Sequence, residues 1–190
     1  MTSDLAASAD SGLPRLLELI GNRIRDIPDY PQPGIVFKDI TPLLADGSAF
    51  AAVVAALASG HGEGGWGKID KVAGIEARGF ILAAPVACRL KAGFVPVRKQ
   101  GKLPSSAYAQ SFELEYGTAT IEVHTDAFQP GDRVLIVDDV LATGGTAAAT
   151  ASLVRRSGAE VVAILVLLEL KFLDGRARLP GLEVRSLLAV

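Results

Sequence analysis

The sequence has little cysteine and little histidine: one thiol, Cys88, and two imidazoles, His61 and His124, in 190 residues. A single cysteine excludes an intrachain disulfide framework and a cysteine-rich metal cluster, and suits a reducing, cytoplasmic compartment. Two distant histidines without a cysteine partner argue against a zinc site. An excess of positive charge is also missing. Nineteen Lys and Arg stand against 21 Asp and Glu, a net charge of −2, so neither nucleic acid nor an anionic membrane is expected as a bulk electrostatic partner. Any phosphate site must therefore be local. No apolar run approaches the roughly 18 residues of a membrane-spanning helix; Val161–Leu168 is bounded by Glu160 and Glu169. Met1–Asp10 carries no basic residue and no apolar segment of signal-peptide length, so no membrane association is expected. A Walker A loop is absent, because Phe80 follows Gly74–Gly79 where lysine is needed. The GxGxxG match at Gly62–Gly67 follows a helical pattern and precedes a strand, the reverse of the dinucleotide-binding context, and reads as a loop.

What is present is an apolar chain, 49% hydrophobic and 21% charged, long enough for one core, so a single domain over residues 1–190 is expected, with residues 1–12 frayed. Helical spacing of Leu16, Leu17, Ile20, Ile24 and Ile27 predicts a helix over about Leu13–Arg25. Pro28, Pro31, Pro33 and Gly34 then impose an extended, turning stretch before Ile35–Phe37. Ser48–Ala58 reads as a helix capped by Asp46 or Ser48. From Lys71 onward the chain alternates: strands at Lys71–Ile75, Phe94–Val97, Arg133–Asp138 and Val161–Leu168, helices at Gly79–Leu90 and Thr146–Arg156. β-Branched strands alternating with helices imply an α/β fold, a parallel sheet covered on both faces. Gly101–Gln110, rich in Gly, Pro, Ser and Ala, reads as a flap, followed by a strand-like Phe112–His124 broken at Gly117. Leu182–Leu188 is a candidate last strand.

Ligands of an open parallel sheet bind beyond the carboxyl ends of its strands, which directs attention to the loops after Ile75, Val97 and Val137. The third runs from an apolar strand into Asp138 and Asp139, then through Ala142, Thr143, Gly144, Gly145 and Thr146 into a helix. The glycine pair lets successive N–H groups aim at one point, and the threonine hydroxyls add donors at a positive helix end: a cradle for one phosphate. Two carboxylates would repel a bare phosphate, so the ligand must also offer hydroxyls or a divalent metal, as a sugar phosphate does. Arg78, Arg98 and Lys102 on the other two loops are candidate partners for further phosphates. Glu113 and Glu115 share one face of an extended segment, as a titrating group beside the flap or as a solvated edge strand. Phe37 reads either as a stacking platform or as core.

Val134–Thr146 resembles the phosphoribosyl-diphosphate (PRPP) binding motif of type I phosphoribosyltransferases. Ile27–Pro42, Glu76–Phe80, Arg98–Pro104 and Leu114–Gly117 resemble, in the same order, segments of the adenine-specific branch of that family. The resemblance implies the type I fold, with a small N-terminal hood over about residues 13–45 that binds the base, and a flexible catalytic loop. It implies transfer of the phosphoribosyl group of PRPP to adenine, giving AMP and diphosphate in purine salvage, with Mg²⁺, in a cytoplasmic homodimer. It assigns the ribose hydroxyls to Asp138 and Asp139, directly or through the metal and its waters, and the 5-phosphate to Ala142–Thr146. Arg78, Arg98 and Lys102 are assigned to the diphosphate, Val36, Phe37 and Lys38 to adenine, and Glu115 to the purine N7 proton. Lys38 departs from members that carry arginine there. The alternatives are another base, such as hypoxanthine, guanine or orotate, and a non-catalytic PRPP-sensing regulator, for which no helix-turn-helix segment or basic face is present.

Overall fold

The computed structural model describes residues 12–60, 65–113 and 117–190. The chain divides into two compact units, Met1–Val54 and Ala55–Val190.

In the first unit α1 (Gly12–Gly21) is shorter than expected, because the Gly21–Asn22 pair ends it and the chain turns into a two-stranded antiparallel ribbon, β1 (Arg25–Ile27) with β2 (Phe37–Asp39). Opposite charges hold the ribbon across its strands. Arg25 Nη2 donates to Asp39 Oδ2 at 2.7 Å, and Lys38 Nζ donates to both oxygens of Asp26. The proline-rich connection is shaped by Gly34 at φ +87°, whose N–H donates to Asp29 Oδ1 at 2.7 Å. A short helix unforeseen in the sequence, α2 (Thr41–Ala45), starts where Asp39 Oδ1 accepts the Thr41 N–H and Pro42 needs no donor partner. Asp46 caps α3 (Gly47–Ser59), its Oδ1 accepting the N–H groups of Ser48 and Ala49.

The second unit is built on a seven-stranded sheet of β3 (Lys71–Ile75), β4 (Gly93–Lys99), β5 (Ala107–Glu113), β6 (Thr118–His124), β7 (Arg133–Leu141), β8 (Glu160–Glu169) and β9 (Val184–Ala189). The order is β5-β6-β4-β3-β7-β8-β9, parallel from β4 to β9, with β5 and β6 antiparallel at one edge. Val134, Leu135, Ile136 and Val137 are all fully buried, which requires both faces of β7 to be covered. α4 (Arg78–Leu90) packs on β3, β4 and β7, and α5 (Gly145–Arg156) on β5, β6, β7 and β8. β3 leads through α4 to β4 on one side, whereas β7 leads through α5 to β8 on the other. The order in which strands are added thus reverses between the parallel β3 and β7, and the loops leaving these strands diverge to open a crevice at their carboxyl ends.

The expected flap is corrected here: it is irregular only as far as Ser106, and residues 107–110 belong to β5. The small residues concealed a strand whose alternate side chains, Tyr108 and Phe112, pack against the core, and whose Ser111 hydroxyl meets that of Thr120 at 2.8 Å. The Arg156 guanidinium covers the Tyr108 ring at 4.6 Å and ties this hairpin to α5. Trp66 is buried, with Nε1 donating to the Leu57 carbonyl at 3.1 Å and the Arg185 guanidinium 4.3 Å from its ring centre. Among the described residues no helix is long and apolar enough to cross a membrane.

Candidate active site

β7 continues three residues beyond the expected end, because Val140 and Leu141 keep their register with Leu168 and Glu169 of β8. The aspartate pair is therefore held in the sheet, and a carboxylate oxygen of each reaches the start of α4. Asp138 lines a cavity of about 70 Å³ with residues 140–147 and Val166, room for a single tetrahedral anion. Asp139 faces the start of α4, where its Oδ2 lies 2.7 Å from Arg78 Nε. That contact is an ion pair rather than an aligned hydrogen bond. Burial and the neighbouring Asp139 charge push the Asp138 carboxyl well above the ordinary range. Burial raises Asp139 too, with Arg78 working against it. Gly79 permits this closeness, since a methyl there would sit 2.8 Å from Asp138 Oδ1 and 3.0 Å from the Val137 carbonyl.

The cradle is the turn from Ala142 to Thr146. Gly144, at φ +81°, is the N-cap of α5, and the first-turn N–H groups of that helix have no acceptor within it. A residue that sequence reasoning missed supports the turn from outside. A methyl on Gly144 would overlap the Gly175 carbonyl, and a methyl on Gly175 would overlap the Ala142 carbonyl. Gly175 is buried in the second of two single-turn 3₁₀ helices, Lys171–Leu173 and Gly175–Arg178, that follow β8. Phe112 of β5 closes another side, its ring 2.9 Å from where a Gly145 methyl would lie, with Arg178 Nη1 3.4 Å away. These contacts join positions about 30 residues apart, and no local motif announces them.

The predicted cations occupy two settings. Arg78 is with Asp139. Arg98 is near the end of β4 and Lys102 in the loop that follows, and Arg98 Nη1 donates to the Lys102 carbonyl at 3.3 Å and Arg98 Nε to Glu76 Oε2 at 3.1 Å. The same Glu76 oxygen accepts the Lys99 N–H at 2.8 Å, and these contacts hold the Glu76 carboxyl below its usual range. Glu122 Oε2 accepts the Gly101 N–H at 2.9 Å. Glu76, Lys99, Gln100, Phe112 and Thr146 line a second cavity, of about 510 Å³, that touches the cradle at Thr146.

In the first unit Val36 is exposed, and Phe37 meets the Tyr30 ring edge-to-face with centres 5.2 Å apart. Lys38 is paired with Asp26, a partner the sequence reading did not include. Glu115, with Leu114 and Tyr116, lies outside the described residues, as does His61. Among the described residues no group of three or more His, Cys, Asp or Glu side chains forms a metal cage.

The sequence matches the phosphoribosyl transferase domain family over residues 43–179. It is 64% identical over 173 residues to an adenine phosphoribosyltransferase of Acidothermus cellulolyticus, covering 91% of this chain and 96% of that protein. The fold is similar to the crystal structure of adenine phosphoribosyltransferase from Thermoanaerobacter pseudethanolicus, with a TM-score of 0.87 and 51% identity over 92% of this chain and 99% of that one. It is also similar to the Saccharomyces cerevisiae enzyme complexed with an imino-altritol bisphosphate and adenine, with a TM-score of 0.82 and 32% identity over 92% and 99%. With the glycine turn between β7 and α5, the crevice at the strand ends and these likenesses together, the chain belongs to the adenine phosphoribosyltransferase family.

Proposed function

We infer that this protein transfers the 5-phosphoribosyl group of PRPP to adenine, releasing diphosphate and forming AMP. The observation that carries this reading is the one-anion cradle of residues 142–146, lined also by the Asp138 carboxylate, at the point where the strand order switches. The cradle would hold the 5-phosphate through N–H groups and the Thr143 and Thr146 hydroxyls. Asp138 would accept from the ribose hydroxyls, with Asp139 behind it setting the Arg78 guanidinium toward the diphosphate, together with Arg98 and Lys102.

The aspartate pair, Asp139 buried and Asp138 half-buried, fits Mg²⁺ carried on the diphosphate, because one guanidinium balances only one of the two carboxylates. Carboxylates reached through water suit this ion better than a protein cage. Bound there, Mg²⁺ supplies neutralising charge to the departing diphosphate. On the base side, Phe37 would stack on adenine beside the Val36 backbone, with Lys38 at the rim and Glu115 managing the N7 proton. The yeast relative's complex with adenine and an imino-altritol bisphosphate supports binding of both a base and a bisphosphate. We further propose a cytoplasmic homodimer acting in purine salvage. Incubation with PRPP, Mg²⁺ and each nucleobase in turn, with products separated by chromatography, tests the assignment. AMP and diphosphate are expected from adenine alone, since a site built around one hydrogen-bonding edge discriminates by about 10⁴–10⁵. PRPP binding without turnover of any base would favour the sensing alternative.

A further inference from the structure

We propose that Glu76 is a positioning residue that holds Arg98 partly neutralised and thereby limits how tightly the diphosphate product is retained. The inference rests on the reading that Arg98 serves the diphosphate. Glu76 leaves β3 with its own N–H donating to the Val97 carbonyl at 3.0 Å, so its backbone is locked to β4 before the side chain begins. One carboxylate oxygen, Oε2, then takes both the Arg98 Nε at 3.1 Å and the Lys99 N–H at 2.8 Å. Arg98 in turn holds the Lys102 carbonyl, so the whole basic loop is folded about this carboxylate.

A neutral acceptor would satisfy the Lys99 N–H equally well. What a carboxylate adds is a fixed negative charge about 3 Å from the guanidinium, in a pair whose side chains are only 18% and 32% exposed. An incoming diphosphate must share Arg98 with that charge. Arg78 is arranged likewise, with Asp139 at 2.7 Å. Both arginines at the carboxyl ends of the central strands, Arg78 opening α4 and Arg98 near the end of β4, thus carry a counter-charge in advance. Diphosphate binding exchanges one anion for another, which favours release of a product that two free guanidiniums would grip.

The test is calorimetric titration of inorganic diphosphate, with Mg²⁺, into the wild-type protein, Glu76→Gln and Glu76→Asp, alongside diphosphate product inhibition of AMP formation. Glu76→Gln keeps an acceptor for Lys99 and removes the charge. It is expected to bind diphosphate roughly three- to tenfold more tightly, the size appropriate to a partly exposed ion pair, with product inhibition strengthened in parallel. Glu76→Asp withdraws the carboxylate by one methylene and should shift affinity in the same direction by less, so it decides the matter if the glutamine variant fails to fold. A merely structural role predicts weaker binding in both variants; weaker or unchanged affinity overturns the inference. No diphosphate binding to the wild-type protein overturns the reading of the Arg98 loop itself.

Discussion

Three glycine substitutions separate the forces that hold the Ala142–Thr146 turn. Gly131 lies at φ +84° with nothing within 4 Å of where a methyl would go, so Gly131→Ala tests the cost of a left-handed backbone alone, about 1–2 kcal/mol. Gly175 lies outside the left-handed region, and a methyl there would overlap the Ala142 carbonyl. Gly175→Ala therefore tests steric conflict alone, about 1–3 kcal/mol for overpacking against a backbone that must shift. Gly144 combines both, with φ +81° and overlap with the Gly175 carbonyl, so Gly144→Ala should cost about 2–5 kcal/mol. Urea unfolding followed by circular dichroism measures the three costs. Thermal melts should fall by about 2–4 °C per kcal/mol for a chain of this size. Calorimetry with PRPP supplies the functional half. Gly144→Ala and Gly175→Ala should both weaken PRPP, because each displaces the turn, whereas Gly131→Ala should leave it unchanged. A Gly175→Ala protein with wild-type stability and wild-type PRPP affinity would refute the claim that the 3₁₀ segment supports the cradle.

Asp138→Asn should weaken PRPP binding while raising the apo Tm by about 2–4 °C at pH 7, since it removes a charge that burial disfavours. The sign follows from the raised carboxyl: the unfolded chain ionises first, so this group erodes stability as pH rises above 3.8, and the variant's advantage in differential scanning fluorimetry should vanish near pH 4. Asp39 works in the opposite sense. The Thr41 N–H, Arg25 and the Thr41 hydroxyl hold it down to about 2, so its stabilisation is complete above 3.8 and is lost as pH falls toward 2. Asp39→Asn should flatten an acid-unfolding curve in that window. Glu115→Gln should lower turnover by about 10²–10⁴ with PRPP affinity retained, as expected for loss of a positioned proton-transfer group. Unchanged turnover in steady-state assays would remove Glu115 from the chemistry.

The parallel core was legible because its signals are local. Lys71–Ile75 is a strand with the bounds its apolar run predicted, and Asp46 caps the helix it precedes. The turn from β7 into α5 was legible for the same reason, since strand, aspartates, glycines and helix follow one another without interruption. β5 was not, because Ala107, Ala109 and Ser111 look like loop composition until antiparallel pairing with β6 gives them a ladder. Gly175 and Phe112 also escaped, because their importance lies in what they touch across the fold. Lys38 was read as a pocket residue, and its pairing with Asp26 required knowledge of the ribbon register.

Trp66 is the only indole in the chain, and it is shut beneath the Leu57 carbonyl and the Arg185 guanidinium, within Ala55–Val190. Its fluorescence is accordingly a reporter on the seam between the C-terminal end of α3 and Arg185 of β9. Emission and far-ultraviolet ellipticity recorded on one denaturant series would set the loosening of that seam against the loss of secondary structure in the chain as a whole.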